Sequence, residues 1–206
     1  MQTDWIDELR RLLPESTFTD AETLAAHSGD KWHAAALPQA VLKARCTEEV
    51  AAAMRLASRY GVPVTPRGAG VGYVGGCVPS RGGLVISTMS MNRILEVNPA
   101  DGVAVVQPGV LTADLQAAAA AVGWFYPPDP ASRKESSIGG NIATNAGGPR
   151  CLKYGVTRSY VLGLEVVLAD GRVLSCGGRT HKNKQGNRCN SLHPQNRRIR
   201  MDINNA

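Results

Sequence analysis

Two glycine-rich segments carry residue types and spacings suited to holding an anion and a flat ring. The first is Pro66-Arg-Gly-Ala-Gly-Val-Gly-Tyr-Val-Gly-Gly76, directly after a predicted strand. Glycines accept positive φ, so successive N–H groups can turn toward one anion and form a nest suited to a pyrophosphate. Arg67 either adds its charge to that nest or stands as an ordinary solvated arginine. Within the segment, Gly70-x-Gly72-x-x-Gly75 has the spacing of a dinucleotide fingerprint, with Glu96 at the end of a later strand. That fingerprint needs a helix opening at its third glycine. Pro79, Gly82 and Gly83 follow instead, so the match is rejected, and the absence of Gly-Lys-Ser/Thr excludes a Walker loop.

The second segment begins with Pro127-Pro-Asp-Pro-Ala-Ser132, a stiff extended turn. Ser136-Ser-Ile-Gly-Gly-Asn-Ile-Ala-Thr-Asn-Ala-Gly-Gly148 then runs almost entirely in small residues. Such side chains let backbone approach a flat ring, whose heteroatoms N–H groups and amides can bond. Close helix–sheet packing would explain Gly139 and Gly140 equally well, but not Asn141 and Asn145 in the same run.

The elements that must position these segments are legible from periodicity. Thr3–Leu13 reads as a helix with Ile6, Leu9, Leu12 and Leu13 on one face, and Thr19-Asp-Ala-Glu22 as the capping box of a short helix. Thr47 opens a helix through Tyr60 that Gly61 stops; Thr112 opens another that Gly123 ends. Strands are predicted over 40–44, 62–65, 84–87, 94–98, 103–107, 161–168 and 172–175. Asp170-Gly171 suggests a type I′ turn joining the last two, and Pro99-Ala-Asp-Gly102 turns the chain in the same manner. Strands separated by a helix and then followed by hairpins point to mixed α+β, not a doubly wound sheet.

Composition narrows the classes. Hydrophobic content of 43% in 206 residues supports a real core, and no stretch approaches a membrane span. The acid-bearing N-terminus lacks a secretory signal pattern, so the expected location is cytoplasmic. Cys46, Cys77, Cys151, Cys176 and Cys189 are odd in number and widely spaced, and the four histidines have no ligand spacing. Ordinary thiols and imidazoles are expected, with no metal. The net charge of +6 does not argue for nucleic acid, since residues 185–206 supply half of it through four arginines and one aspartate.

Four ordered blocks together resemble the FAD-binding domain of the vanillyl-alcohol oxidase superfamily, most of all glycolate oxidase FAD subunits and D-lactate dehydrogenases. They are PRGAGVGYVGG (66–76), PPDPAS (127–132), SIGGNIATNAGG (137–148) and KYGVTRSYVLGLEVVLADG (153–171). The resemblance implies a two-lobed PCMH-type α+β fold, with a small mixed-sheet lobe and a larger antiparallel lobe with helices. It implies that Arg67, Gly68, Ala69, Gly70, Val71, Gly72, Gly75 and Gly76 cradle the FAD pyrophosphate. Pro130, Ser132, Ile138, Gly139, Gly140, Asn141, Thr144 and Asn145 would line the flavin and its ribityl chain; Gly155 and Val161 to Leu164 would wall the adenine. Relatives that attach FAD covalently often use a histidine in the first loop, where this chain has Val71, so non-covalent FAD is expected.

The resemblance covers about residues 38–184. The expected organisation is a helical segment over 1–37, the FAD-binding domain over 38–184, and a basic, disordered tail over 185–206 outside the family pattern. The relatives' substrate cap and histidine–acid cluster find no counterpart, and His181, Lys182 and Lys184 match no family catalytic position, so no catalytic residue is named. The implied function is the FAD-binding part of a 2-hydroxy-acid dehydrogenase, inactive alone and turning over a hydroxy acid only with a missing region or partner chain. The alternative is an FAD- or nucleotide-binding module without turnover.

Overall fold

A computed structural model describes residues 4–32, 34–178 and 196–202. They form two compact units. The first comprises residues up to Ser90 together with Val167–Val173; the second comprises Met91–Val166 and the chain from Leu174 onward.

In unit 1, helix α1 (Asp4–Leu12) leads to strand β1 (Thr17–Phe18) and helix α2 (Ala21–Ala26), whose N-cap Asp20 accepts the Thr23 N–H. Strand β2 (Ala40–Lys43), helix α3 (Thr47–Tyr60), and strands β3 (Val64–Arg67) and β4 (Leu84–Ser87) follow. The sheet order is β1-β2-β4-β3, with β4 parallel to both β2 and β3. Ala40, Val41, Leu42, Leu84, Val85 and Ile86 are all fully buried, as expected of parallel strands covered on both faces. Helix α3 ends as its sequence requires, with Gly61 in the left-handed region at φ 65°. Strand β3 runs two residues past the predicted end and includes Pro66, which its edge position tolerates. On α1 the buried face is Trp5 and Leu9, whereas Leu12 is exposed, so the predicted stripe is corrected by one position of rotation.

In unit 2, strands β5 (Ile94–Asn98) and β6 (Val103–Val106) form a hairpin, then come helices α4 (Thr112–Ala121), α5 (Ile138–Thr144) and α6 (Cys151–Tyr154). A 3₁₀ turn, Thr157–Tyr160, leads into strand β7 (Val161–Val167), and strands β8 (Val173–Gly177) and β9 (Asn196–Asp202) complete the unit. The sheet order is β5-β6-β9-β7-β8, with β9 antiparallel to both β6 and β7. Ile199 and Met201 are fully buried in a core with Val106, Leu115, Tyr126, Ile138, Tyr160 and Leu164. The expected disorder of residues 185–206 is therefore corrected for 196–202; residues 185–195 and 203–206 lie outside the described residues. Alternation in Arg198-Ile-Arg-Met-Asp202 is the strand signal that the surrounding asparagines obscured.

The turn after β7 is also corrected. Gly171 has φ 78° but Asp170 does not take positive φ, which a type I′ turn requires of both. The Gly171 N–H donates to the Leu168 carbonyl and the Leu168 N–H to the Arg172 carbonyl, a three-residue connection with glycine in the left-handed position. No helix of the described residues is long and apolar enough to cross a membrane.

Candidate functional site

The first glycine-rich segment connects β3 to β4 in unit 1 with no helix between them, in keeping with rejection of the dinucleotide fingerprint. Gly70 and Gly75 both have φ 72°. Among the described residues, the N–H groups of Gly68 to Gly72 and of Gly76 donate to no protein group. A Cβ built on Gly72, Gly75 or Gly76 would find no heavy atom within 4 Å, so the backbone is bare on that side. Free amides on an open, glycine-lined turn are a cradle for an anion. A pyrophosphate fits them.

Two of the predicted contacts are otherwise engaged. Arg67 is half-buried, and its Nη1 donates to the Gly29 carbonyl at 2.7 Å and to the Cys77 carbonyl at 3.4 Å. Through Nη1 it braces the loop from within. The Gly75 N–H donates to Asp30 Oδ2 at 3.0 Å, a partner that no local pattern announced. His27 belongs to the same unit; burial pushes its imidazole pKa down, a hydrogen bond with the Thr23 carbonyl opposes this, and the Arg67 charge adds to the lowering.

The second segment lies in unit 2, where it forms a helix that sequence did not predict. Ser137 caps it, accepting the Gly140 N–H at 3.3 Å, and Asn145 closes it in the left-handed region at φ 50°. Gly139 is required by close approach, since a Cβ there would stand 2.7 Å from Pro108 Cβ. The two asparagines have structural partners as well. Asn141 Nδ2 donates to Thr112 Oγ1 at 2.6 Å, and Asn145 Oδ1 accepts the Arg158 N–H at 3.0 Å. Packing within unit 2 thus engages one group of each amide.

Of the residues predicted to line a ring, Pro130, Ile138, Gly139, Asn141 and Leu164 are buried, with Leu164 in the core itself. Ser132, Gly140, Asn145, Gly155 and Val161 are half-buried and Thr144 is exposed, so these present the accessible surface. Sequence reasoning missed Gly147 and Gly148, whose N–H groups donate to no protein group among the described residues. It also missed Asp129, a buried carboxylate 3.5 Å from Arg133 Nε and 3.4 Å from Arg150 Nε, with Oδ1 lacking a hydrogen bond. Gly148 joins the two blocks of this segment, because a Cβ there would collide with the Asp129 carbonyl. Gly148→Ala is expected to destabilise unit 2 by about 2–3 kcal/mol, read as a lowered midpoint in chemical denaturation. An unchanged midpoint would mean that the two blocks do not pack as described.

Among the described residues, no three His, Cys, Asp or Glu side chains cluster as metal ligands. Among the described residues, Cys46, Cys77 and Cys151 are free thiols.

Comparison with known proteins bears on the same residues. Residues 38–177 match the family described as the FAD binding domain. The glycolate oxidase subunit GlcD of Bacillus subtilis is 49% identical over 150 residues, covering 73% of this chain and 32% of that protein. A D-lactate dehydrogenase of Archaeoglobus fulgidus is 42% identical over 187 residues, 88% of this chain and 41% of that one. The chain therefore spans about a third to two-fifths of the length of these relatives. Among solved structures, the 4-ethylphenol oxidase from Gulosibacter chungangensis superposes with a TM-score of 0.77 at 27% identity, over 98% of this chain and 42% of that one. The mixed and antiparallel sheets, the ordered glycine blocks and this match over most of the chain agree: the chain belongs to the FAD binding domain family, and its cofactor is FAD.

Proposed function

We propose that this chain supplies the FAD-binding part of a flavin-dependent dehydrogenase of 2-hydroxy acids, of the glycolate or D-lactate type. The observation that carries the reading is the run of amides from Gly68 to Gly72 that have no protein acceptor among the described residues, on a loop bare at Gly72, Gly75 and Gly76 and inside the family match. On this reading those amides, with Gly76, hold the pyrophosphate, while Arg67 and Gly75 shape the loop. In unit 2, Ser132, Gly140, Thr144 and Asn145 contact the ring and ribityl chain, and Gly155 and Val161 face the adenine. Pro130, Ile138, Gly139, Asn141 and Leu164 support them from beneath. Bound FAD supplies a ring able to take a hydride from the α-carbon of a hydroxy acid.

Attachment is non-covalent on this reading, because Val71 has no nucleophilic side chain. After reconstitution with FAD and gel filtration the chain is expected to be yellow, and denaturing precipitation to leave the flavin in the supernatant. Flavin retained on the polypeptide would refute non-covalent attachment. Anaerobic mixing with glycolate, D-lactate or D-2-hydroxyglutarate tests the substrate class. Slow bleaching by one of them is expected, below about one turnover per second, because positioning groups account for about 7–11 kcal/mol of such barriers and the matched segment is only part of the relatives. Failure to take up FAD would refute the cofactor assignment for this chain; turnover by the chain alone at or above about one per second would refute the reading that it lacks its positioning groups, and bleaching by another alcohol but by none of these acids would refute the substrate class.

A further inference from the structure

We propose that Asp30 is a positioning residue for the FAD phosphate loop, and that the turn it anchors is a working part of the cofactor site although it precedes the family match. The inference rests on the reading of the loop given above. Its carboxylate accepts three N–H groups: Trp32 at 2.8 Å and Ala34 at 3.3 Å on Oδ1, and Gly75 at 3.0 Å on Oδ2. Two belong to its own turn, which is further closed by the Asp30 N–H to the Ala34 carbonyl at 3.1 Å. The third belongs to the glycine loop, 45 residues away.

The turn and the loop are tied in both directions. Arg67 Nη1 reaches back to the Gly29 carbonyl, the Lys31 N–H donates to the Gly72 carbonyl at 3.3 Å, and the Trp32 ring meets Tyr73 edge-on at 6.0 Å. These ties fall on Arg67, Gly72, Tyr73 and Gly75, and among the described residues they leave the amides of Gly68 to Gly72 without a protein acceptor. A glycine-rich loop has more conformational freedom to lose than any other chain segment, so holding it in shape before the ligand arrives favours binding. A carboxylate is the acceptor best suited to the task, since charge-assisted hydrogen bonds are the strong ones. Asp30 is not a stand-in that phosphate must displace, because two of its three donors lie in its own turn and hold it there.

The test compares FAD affinity and apo-protein melting in the full chain for wild type and Asp30→Asn. Asparagine keeps an oxygen for the Trp32 and Ala34 N–H groups but presents an NH₂ group toward Gly75, losing only the tie to the loop. The dissociation constant for FAD, read from flavin fluorescence quenching, is expected to rise about tenfold or more, as loss of one hydrogen bond to a charged group implies. The apo melting temperature is expected to stay within about 2 °C of wild type, a small shift for a domain of this size. Should the asparagine variant not fold, Asp30→Ser carries the same expectation, since its hydroxyl can cap the turn but cannot reach Gly75. Unchanged or tighter FAD binding overturns the proposal, as does a weakening fully matched by loss of apo stability. A wild-type chain that takes up no FAD overturns the reading of the loop and this inference with it; wild-type uptake with undiminished uptake by the variant overturns this inference alone.

Discussion

Ile199→Asp is expected to leave unit 2 without a cooperative fold, and removal of residues 196–202 to do the same. Ile199 and Met201 have no exposed surface, and their strand lies between β6 and β7 in the middle of the sheet. Deleting an isoleucine side chain from a core costs about 2–5 kcal/mol. Placing an unpaired carboxylate among Val106, Leu164 and Tyr160 adds several more, unless the group stays protonated. A domain has only about 5–15 kcal/mol to lose. Near-ultraviolet dichroism and chemical denaturation read the result, with Ile199→Val as the control at about 1 kcal/mol. A sharp, near-native transition in Ile199→Asp would mean that β9 is not part of the sheet.

Gly72→Val is expected to abolish FAD retention while leaving the apo protein folded. A Cβ at Gly72 meets nothing within 4 Å, and its φ is not positive, so the protein alone gives no reason for glycine there. The branched side chain would occupy the bare side of the loop, where the reading places the pyrophosphate. Loss of about 3 kcal/mol or more corresponds to at least a hundredfold weaker binding, measured by flavin quenching beside an apo melt. Gly75 is a poorer probe, because its φ of 72° strains any side chain whether or not a phosphate lies beside it. Wild-type affinity in Gly72→Val would place the cofactor elsewhere.

What was legible in the sequence is what local rules decide. Strand β4, helix α3 and its Gly61 stop follow from apolar spacing and a left-handed cap, and the rejection of a dinucleotide fingerprint followed from Pro79 and Gly82. Helix α5 was missed because Gly139 and Gly140 are poor helix formers. Its Ser137 cap is local, but the contacts with Thr112 and Pro108 lie outside any short window. In the candidate site, the glycines of the first loop were readable from type and spacing. The duties of Arg67 and Asp30 were not, since their partners stand 38 and 45 residues away along the chain.

The position of β9 also sets the order in which the protein can assemble during synthesis. Strands β6 and β7 leave the ribosome well before residues 196–202, yet they do not pair with each other; each pairs with β9. Until that segment emerges, two inner edges stand open with their N–H and C=O groups unpaired, the arrangement that invites wrong pairing between chains. The pairing that ends the exposure joins Val103 to Asp202, a contact of high sequence separation that slows folding. The nascent chain therefore passes through a stage in which unit 1 has all its strands but the sheet of unit 2 cannot close, the kind of partly formed sheet that is prone to aggregate.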